Sequence, residues 1–392
     1  MRGFKAIRKP STQSQPQSQP QPQYEIADIL NRLGDKLEDL GLNSWQLRTL
    51  FALKKCRTSA LGGHIDACDE CGNISISYNS CRNRHCPKCQ GRNREDWIQT
   101  RVTELLPVPY FHVVFTLPEV LNKTALHEPK MLYDILFESA WETLQTFGKN
   151  KNLQMGMIAV LHTWGQNLSL HPHLHCIVPG GGVDENGAWK NIKNDGKFLF
   201  PVKALSKVFR AKFCEKLKDK NLKEYTKIRQ NLWEKPWVVF AKKPFGSPKS
   251  VVEYLGRYTH KIAISNQRIR KIDAETVTFS YKDYRQKGIK KQMVLSHEEF
   301  IRRFAMHILP KRFVKIRHYG FLSSTWKRIK LKNLQQKLGI QPKEKLPPKV
   351  FQPKCSCCKV GNLVTIATFD LRGPPQWFLE MSQNLSAPKS AF

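Results

Sequence analysis

Three histidines recur at spacing two in His171-Pro172-His173-Leu174-His175, and an apolar run, Cys176-Ile177-Val178, follows directly. Side chains on an extended strand alternate between faces, so the three imidazoles share one. Two imidazoles on one face of a rigid strand supply most of a metal site. The competing reading is a strand whose histidines are ordinary satisfied groups. A second stretch, Val251 to Lys261, places Tyr254 and Tyr258 four apart. On a helix they share a face with Cβ atoms roughly 6 Å apart, and Lys261 falls on the same stripe. By itself such a pair is packing; beside a metal strand in a basic chain, the two become candidate nucleophiles. Gly256 between them weakens a helix by about 1 kcal/mol relative to Ala, which suits close approach of another backbone.

Cysteines make the third group. Cys68-Asp69-Glu70-Cys71 and Cys86-Pro87-Lys88-Cys89 are C-x-x-C knuckles fourteen residues apart. That spacing matches a zinc ribbon or treble clef and predicts Zn²⁺ held by Cys68, Cys71, Cys86 and Cys89. Cys81 and His85 are surplus, available as outer partners, exchanging ligands or a second site with His64. Cys355, Cys357 and Cys358 make half a ribbon with no second pair after them, so a free or incomplete site is expected there.

Composition sets the partner. The 392 residues hold 65 Lys+Arg against 32 Asp+Glu, a formal charge of +33. Such self-repulsion calls for a polyanion. No apolar run approaches the 18 or so residues of a membrane span, and no signal-peptide pattern is present, which points to nucleic acid in the cytoplasm rather than a membrane. Clustered cysteines fit a reducing, metal-binding setting. Arg82, Arg84 and Arg92 crowd the second knuckle and are expected to grip phosphate; solvated arginines around a structural zinc are the alternative. Residues 301–350 carry fourteen Lys/Arg, among them Lys311, Arg312 and Arg317, and one acidic residue, Glu344. This segment is the expected backbone-tracking surface.

Local patterns supply the elements that must position these groups. Residues 1–23 open on a short basic piece and pass, from Ser11 to Gln23, into alternating Gln and Pro with no apolar residue; they read as a disordered tail. Ile26, Ile29, Leu30, Leu33, Leu37 and Leu40 follow helical spacing up to Gly41, and a second helix begins at Asn43 or Ser44. Ile74, Ile76 and Tyr78 alternate as a strand. Tyr110 to Leu117 reads as a buried strand, 127–147 as a helix, and Met155 to Trp164 as a strand. The histidine strand follows and ends at Gly180-Gly181-Gly182. Asn186-Gly187 suits a hairpin turn, 201–220 a helix, and Trp237 to Ala241 a short strand. Strand, helix, strand, strand describes an α+β domain with an antiparallel sheet. Phe313, Tyr319, Phe321 and Trp326 either stack on unpaired bases or pack a core. The last thirty residues, with Gly373-Pro374-Pro375, read as irregular.

These pieces together resemble the two-tyrosine HUH transposases of the insertion sequence ninety-one family. The likeness rests on Cys81-Arg82-Asn83-Arg84-His85-Cys86-Pro87-Lys88-Cys89, Phe115-Thr116-Leu117, His173-Leu174-His175 and Tyr254-x-x-x-Tyr258. His307-Ile308-Leu309-Pro310 to Tyr319-Gly320-Phe321-Leu322 resembles the family's late segment, so the likeness covers roughly 40–325. His171-Pro172-His173 also fits the motif; His173 and His175 are preferred because the apolar run follows directly, as in the family. His171, His162 and Gln166 stay open as a third ligand. The resemblance implies a ferredoxin-like nuclease core with the histidines on a central strand, the tyrosines on a facing helix, and an N-terminal zinc domain contacting DNA. The expected division is 1–23 tail, 24–100 helical zinc-binding domain, 101–300 nuclease and strand-transferase domain, and 301–392 basic DNA-binding extension.

The implied chemistry is nicking and joining of single-stranded DNA. Mg²⁺ or Mn²⁺ on His173, His175 and a third group binds a non-bridging oxygen, and a tyrosine takes the 5′-phosphate, leaving a 3′-OH. Partners are then the single-stranded or extruded ends of a mobile element and its target DNA, with room for an oligomer. Two rivals remain: a plasmid or phage replication initiator or relaxase of the same chemistry, and a non-enzymatic zinc-finger DNA binder. A hydrolytic zinc enzyme is disfavoured because no H-E-x-x-H pattern occurs.

Overall fold

Helical spacing of Ile26, Ile29, Leu30 and Leu33 buries one face of α1 (Ile26–Leu33). The computed structural model describes residues 22–89, 97–98, 100–192, 199–242, 250, 256, 259, 261–340 and 353–380. After α1 a tighter turn, Gly34–Leu40, keeps Leu37 and Leu40 inward until Gly41, at φ +68°, ends it. Asn43 caps α2 (Ser44–Lys54): its side chain accepts from the Gln46 N–H while Gln46 accepts from the Asn43 N–H. The chain then folds as an antiparallel hairpin of β1 (Gly63–Cys68) and β2 (Ile74–Tyr78).

The next stretch is β3 (Tyr110–Thr116), a short α3 (Asn122–His127), the long α4 (Pro129–Lys149), β4 (Gly156–Trp164) and β5 (Leu170–Pro179). Gly187, at φ +72°, turns the small hairpin of β6 (Gly181–Val183) and β7 (Trp189–Asn191). The glycine run at 180–182 thus opens a further strand rather than only closing the histidine strand. α5 (Val202–Lys220), α6 (Leu222–Glu234) and β8 (Val239–Lys242) follow. Then come β9 (Ile269–Ile272), β10 (Thr276–Asp283), β11 (Ile289–Ser296), α7 (His297–Ala305), β12 (Ile316–Gly320), α8 (Ser324–Lys337) and β13 (Leu363–Phe369).

Five strands form the central sheet in the order β12-β4-β5-β3-β8, every pair antiparallel. Without β12, the order β4-β5-β3-β8 and its β-α-β-β-α-β connections are the ferredoxin-like topology, so the fold is α+β. Side-chain parity divides the faces. Val113, Phe115, Met157, Ala159, Leu161, Leu174 and Cys176 join Leu132, Leu136, Phe209, Phe213 and Leu232 from α4, α5 and α6 in the largest core. The other parity carries the histidines. All nine residues of β4 are buried, so both faces are covered. A second core joins α1 and α2 to β9, β10 and α7, and Trp164 at the end of β4 enters it. The zinc-side module is therefore seated at the histidine end of the sheet. Among the described residues no helix is long and apolar enough to cross a membrane.

Residues beyond 300 do not form a separate body among the described residues. Ile316 pairs with Val160 at the sheet edge, and Leu363–Phe369 pairs with β1. The final residues were expected to be irregular; β13 is a strand because β1 offers a ladder for its backbone groups. Phe313 and Phe321 are buried, and Tyr319 stacks on Trp141 with centroids 5.2 Å apart, so these aromatics are core and not a base-stacking platform. At Gly320, φ is +59° and a Cβ would lie 1.8 Å from the Met155 carbonyl oxygen; only glycine fits there.

His307 fastens the end of α7 to the sheet. Its Nε2 donates to the Leu168 carbonyl at 3.2 Å, and its Nδ1 meets the Thr163 hydroxyl at 3.2 Å. Burial pushes its pKa down to about 4, whereas the unfolded chain titrates near 6.5. As pH falls through 6.5 the unfolded chain takes a proton that the folded chain refuses until about 4. This contribution is full above 6.5 and is lost as pH falls to about 4, up to about 3 kcal/mol. Urea midpoints at pH 7.5 and 4.5 should therefore drop less in His307→Gln than in wild type; an equal drop would assign the acid sensitivity elsewhere.

Candidate active site

β5 lies mid-sheet, between β4 and β3. The register sets His162 of β4 opposite His173 of β5, and Val114 of β3 opposite His175. His162, His173 and His175 share one face, and one ring nitrogen from each lies within 4.8 Å of the other two. Ring centroids are 5.5 Å apart for His162–His173, 4.6 Å for His162–His175 and 4.9 Å for His173–His175. His171 is exposed and outside this group; its carbonyl instead sits 2.6 Å from His173 Nδ1. A carbonyl only accepts, so Nδ1 carries the proton and Nε2 the lone pair. Gln166 lies in the turn between β4 and β5, where its carbonyl accepts from the Arg268 guanidinium.

His175 Nδ1 is 2.9 Å from Nε2 of buried His112 on β3. For His175 to offer Nε2 to a cation it must donate from Nδ1, with His112 accepting; such outer partners set the tautomer and orientation of ligating imidazoles. Burial first, and then the neighbouring histidine and lysine charges, lowers His173 to about 4 and His175 well below the ordinary range. Both rings are neutral at physiological pH, the form that ligates. Sequence reasoning missed His112. Its only local signal was one polar residue in the apolar run Tyr110-Phe111-His112-Val113-Val114.

Tyr254 and Tyr258 lie outside the described residues. Gly256 and Thr259 have helical backbone, and the buried Thr259 hydroxyl donates to the Gly256 carbonyl at 3.1 Å. A Cβ on Gly256 would lie 2.3 Å from the Ile98 side chain, so it is a side chain and not the expected backbone that comes close. Lys261 is within electrostatic reach of His173 and His175. Its carbonyl accepts from Lys315 Nζ at 2.9 Å, and that ammonium sits 5.2 Å from the centre of the Trp164 ring. Desolvation, then the Arg84 charge, lowers Lys315 to about 7. Arg84, Lys261 and Lys315 line one small cavity with His85 and His307, and no carboxylate is among its described walls.

The four expected zinc ligands do not form one site. Cys86 and Cys89 cluster with Cys56 and Cys81; Cys68 and Cys71 cluster with Cys355 and Cys358. The β1–β2 hairpin is the reason. Cys68 and Cys71 sit at its tip, Cys56 and Cys81 flank its base, and five strand residues separate the two ends by roughly 17 Å. In the base cluster Sγ–Sγ distances are 3.5 Å (Cys56–Cys86), 3.6 Å (Cys56–Cys89) and 3.8 Å (Cys81–Cys89). A tetrahedron with Zn–S near 2.3 Å has edges of about 3.8 Å. Thiol contacts from Cys56 first, then Cys81 and Cys86, hold Cys89 far below the usual thiol range, while Cys81 and Cys86 are pushed up. Cys56 was missed because it stands alone in sequence. His85 accepts from the Leu309 N–H at 3.4 Å, and His64 pairs with Asp66 at 3.3 Å; neither joins a cluster.

The basic candidates divide. Arg82, Lys311 and Arg312 are exposed. Arg84 donates to the carbonyls of Phe313 and Pro310, and Arg317 pairs with Asp134 and lies 4.2 Å from the centre of the Phe137 ring. Arg92 is outside the described residues.

Residues 156–329 match the family model described as "Putative transposase", and residues 29–117 match "Transposase zinc-binding domain". The first range contains the histidine face and the tyrosine pair; the second contains the whole Cys56, Cys81, Cys86 and Cys89 cluster. The chain is 42% identical over 388 residues to "Putative transposase y4qJ" of Sinorhizobium fredii, covering 90% of this chain and 97% of that one. It is 30% identical over 306 residues to "Transposase for insertion sequence element IS801" of Pseudomonas savastanoi pv. phaseolicola, covering 74% and 73%. With that extent of identity and both domains matched, the chain belongs to the two-tyrosine transposases of the insertion sequence ninety-one family and carries that family's zinc-binding domain.

Proposed function

We propose that this transposase cuts and joins single-stranded DNA through tyrosine, with a divalent cation held by His162, His173 and His175. The observation that carries the reading is three imidazoles converging on one face of the central sheet, within electrostatic reach of Lys261 and Lys315. The donor set fits such an ion: rigid strands carry the rings, and the His171 carbonyl and His112 fix two of them. When bound, the ion supplies Lewis-acid polarisation of a non-bridging phosphoryl oxygen.

The phenolic oxygen of Tyr254 or Tyr258 gives up its proton to solvent and attacks phosphorus in line. The P–O3′ bond breaks, the 3′ oxygen takes up a proton, and the 5′-phosphate remains on tyrosine. One phosphodiester replaces another, so joining is the reverse attack by a 3′-OH and needs no ATP. Two tyrosines let one hold the donor strand while the other opens the target, as in rolling-circle-type transposition. Lys261 and Lys315 offset charge on the phosphate. Arg82, Arg92, Lys311 and Arg312 track the DNA backbone; Arg84 and Arg317 stiffen the frame beneath them. Zn²⁺ in the Cys56, Cys81, Cys86 and Cys89 cluster holds this DNA-contacting domain together.

The test uses 3′-labelled single strands from both termini of the element, in both orientations, with Mn²⁺. Wild type should give a labelled protein–DNA band stable to detergent and lost with EDTA. No such band on any of the strands overturns the reading.

A further inference from the structure

We infer that Cys68, Cys71, Cys355 and Cys358 form a second, tetrathiolate zinc site through which the C-terminal segment closes the N-terminal zinc domain. Each half is a C-x-x-C knuckle, and the halves are 284–290 residues apart in sequence. Cys355 and Cys358 fall outside both matched family ranges, 29–117 and 156–329. All four sulfurs lie within 4.8 Å of one another, with Cys68–Cys358 at 3.6 Å and Cys71–Cys355 at 3.8 Å. These are edges of a zinc–thiolate tetrahedron, about 3.8 Å, and far too long for a disulfide at about 2.05 Å.

The surroundings are built for this closure. Backbone N–H groups donate to the C-terminal sulfurs, Cys357 N to Cys355 Sγ and Gly361 N to Cys358 Sγ, both at 3.3 Å. Such bonds favour thiolate over thiol. Asp69, inside the first knuckle, takes the Asn362 N–H at 2.7 Å and its side-chain amide at 3.2 Å. A Cβ on Gly361 would sit 2.4 Å from Cys68 Sγ, so only glycine lets the two knuckles meet. β13 then pairs with β1 from Cys68↔Leu363 to Gly63↔Phe369, and buried Asp66 accepts from the Thr365 hydroxyl at 2.7 Å.

The β13-β1-β2 sheet buries little of its own. No residue of β2 or β13 is fully buried, and Val364 and Ile366 are about half exposed at 47% and 50%. A sheet with so thin a core needs a staple, and metal binding supplies folding free energy directly.

The full-length protein loaded with Co²⁺ tests this. Thiolate-to-cobalt charge transfer reports cysteine-bound metal, and a histidine-bound ion does not give it. Wild type should hold two tetrathiolate centres per chain by metal analysis and absorbance. Cys355→Ser/Cys358→Ser should lose half the charge-transfer intensity and about one metal, while Cys357→Ser keeps both. One tetrathiolate centre in wild type, or two in the double variant, overturns the inference. If the double variant does not fold, the wild-type count decides.

Discussion

Tyr254→Phe/Tyr258→Phe should leave no detectable protein–DNA adduct, a fall on the order of 10⁴-fold or more. Phenylalanine keeps the ring and its packing and removes only the hydroxyl, so the loss tests the nucleophile rather than the fold. The single variants are the more informative pair. Each should still form an adduct on the remaining tyrosine, since one phenol suffices to break one strand. Each should fail to join donor to target, because the second strand then has no acceptor while the first linkage is occupied. Adduct from the double variant would move the nucleophile elsewhere in the chain. Full strand joining by both single variants would remove the need for two tyrosines and favour sequential use of one.

Removing a ligand should be nearly as severe. His173→Ala and His162→Ala should each slow adduct formation by roughly 10²- to 10³-fold, the usual cost of losing a principal electrostatic contact at a reacting centre. His162 is the sharper test, because it lies on a different strand and meets the others only through the β4–β5 register. His112→Phe keeps a buried ring but removes the acceptor facing His175, so a loss of about 10- to 100-fold is expected. His171→Ala should change little, since that ring is exposed and its carbonyl, the group that meets His173, is retained. Mn²⁺ titrations of the four variants read the effect: weaker apparent metal affinity in the first three and wild-type affinity in the last. Wild-type rates from His162→Ala and His173→Ala, insensitive to chelator, would leave the histidine face a structural feature.

Much of the candidate site is legible in the sequence. A period of two set His173 and His175 on one side of a strand, and the apolar run after them placed that strand inside. Helical spacing and an Asn43 cap located α1 and α2, and Asn186-Gly187 located a hairpin. Each of these is decided by residues within a few positions of one another, through backbone sterics and side-chain parity.

The remaining assignments depended on what the chain meets when it folds back. His162, one of three third-ligand candidates open in the sequence, is singled out because it faces His173 across a ladder, and His112 is an orienting partner because β3 flanks β5 on the other side. The aromatics from 313 to 321 had the composition of a base-stacking surface, but their positions under α4 and beside β4 made them core. The cysteines show the division most clearly. C-x-x-C spacing is local and marked three knuckles, yet it says nothing about which pairs share an ion. A five-residue hairpin holds its tip roughly 17 Å from its base, and that distance sent Cys68 and Cys71 to Cys355 and Cys358 while Cys86 and Cys89 joined Cys56 and Cys81. Residue type and short-range spacing thus determined which groups of this chain are candidates for chemistry. Strand register and the return of distant segments decided which atoms meet, because those contacts exist only once the backbone has closed on itself.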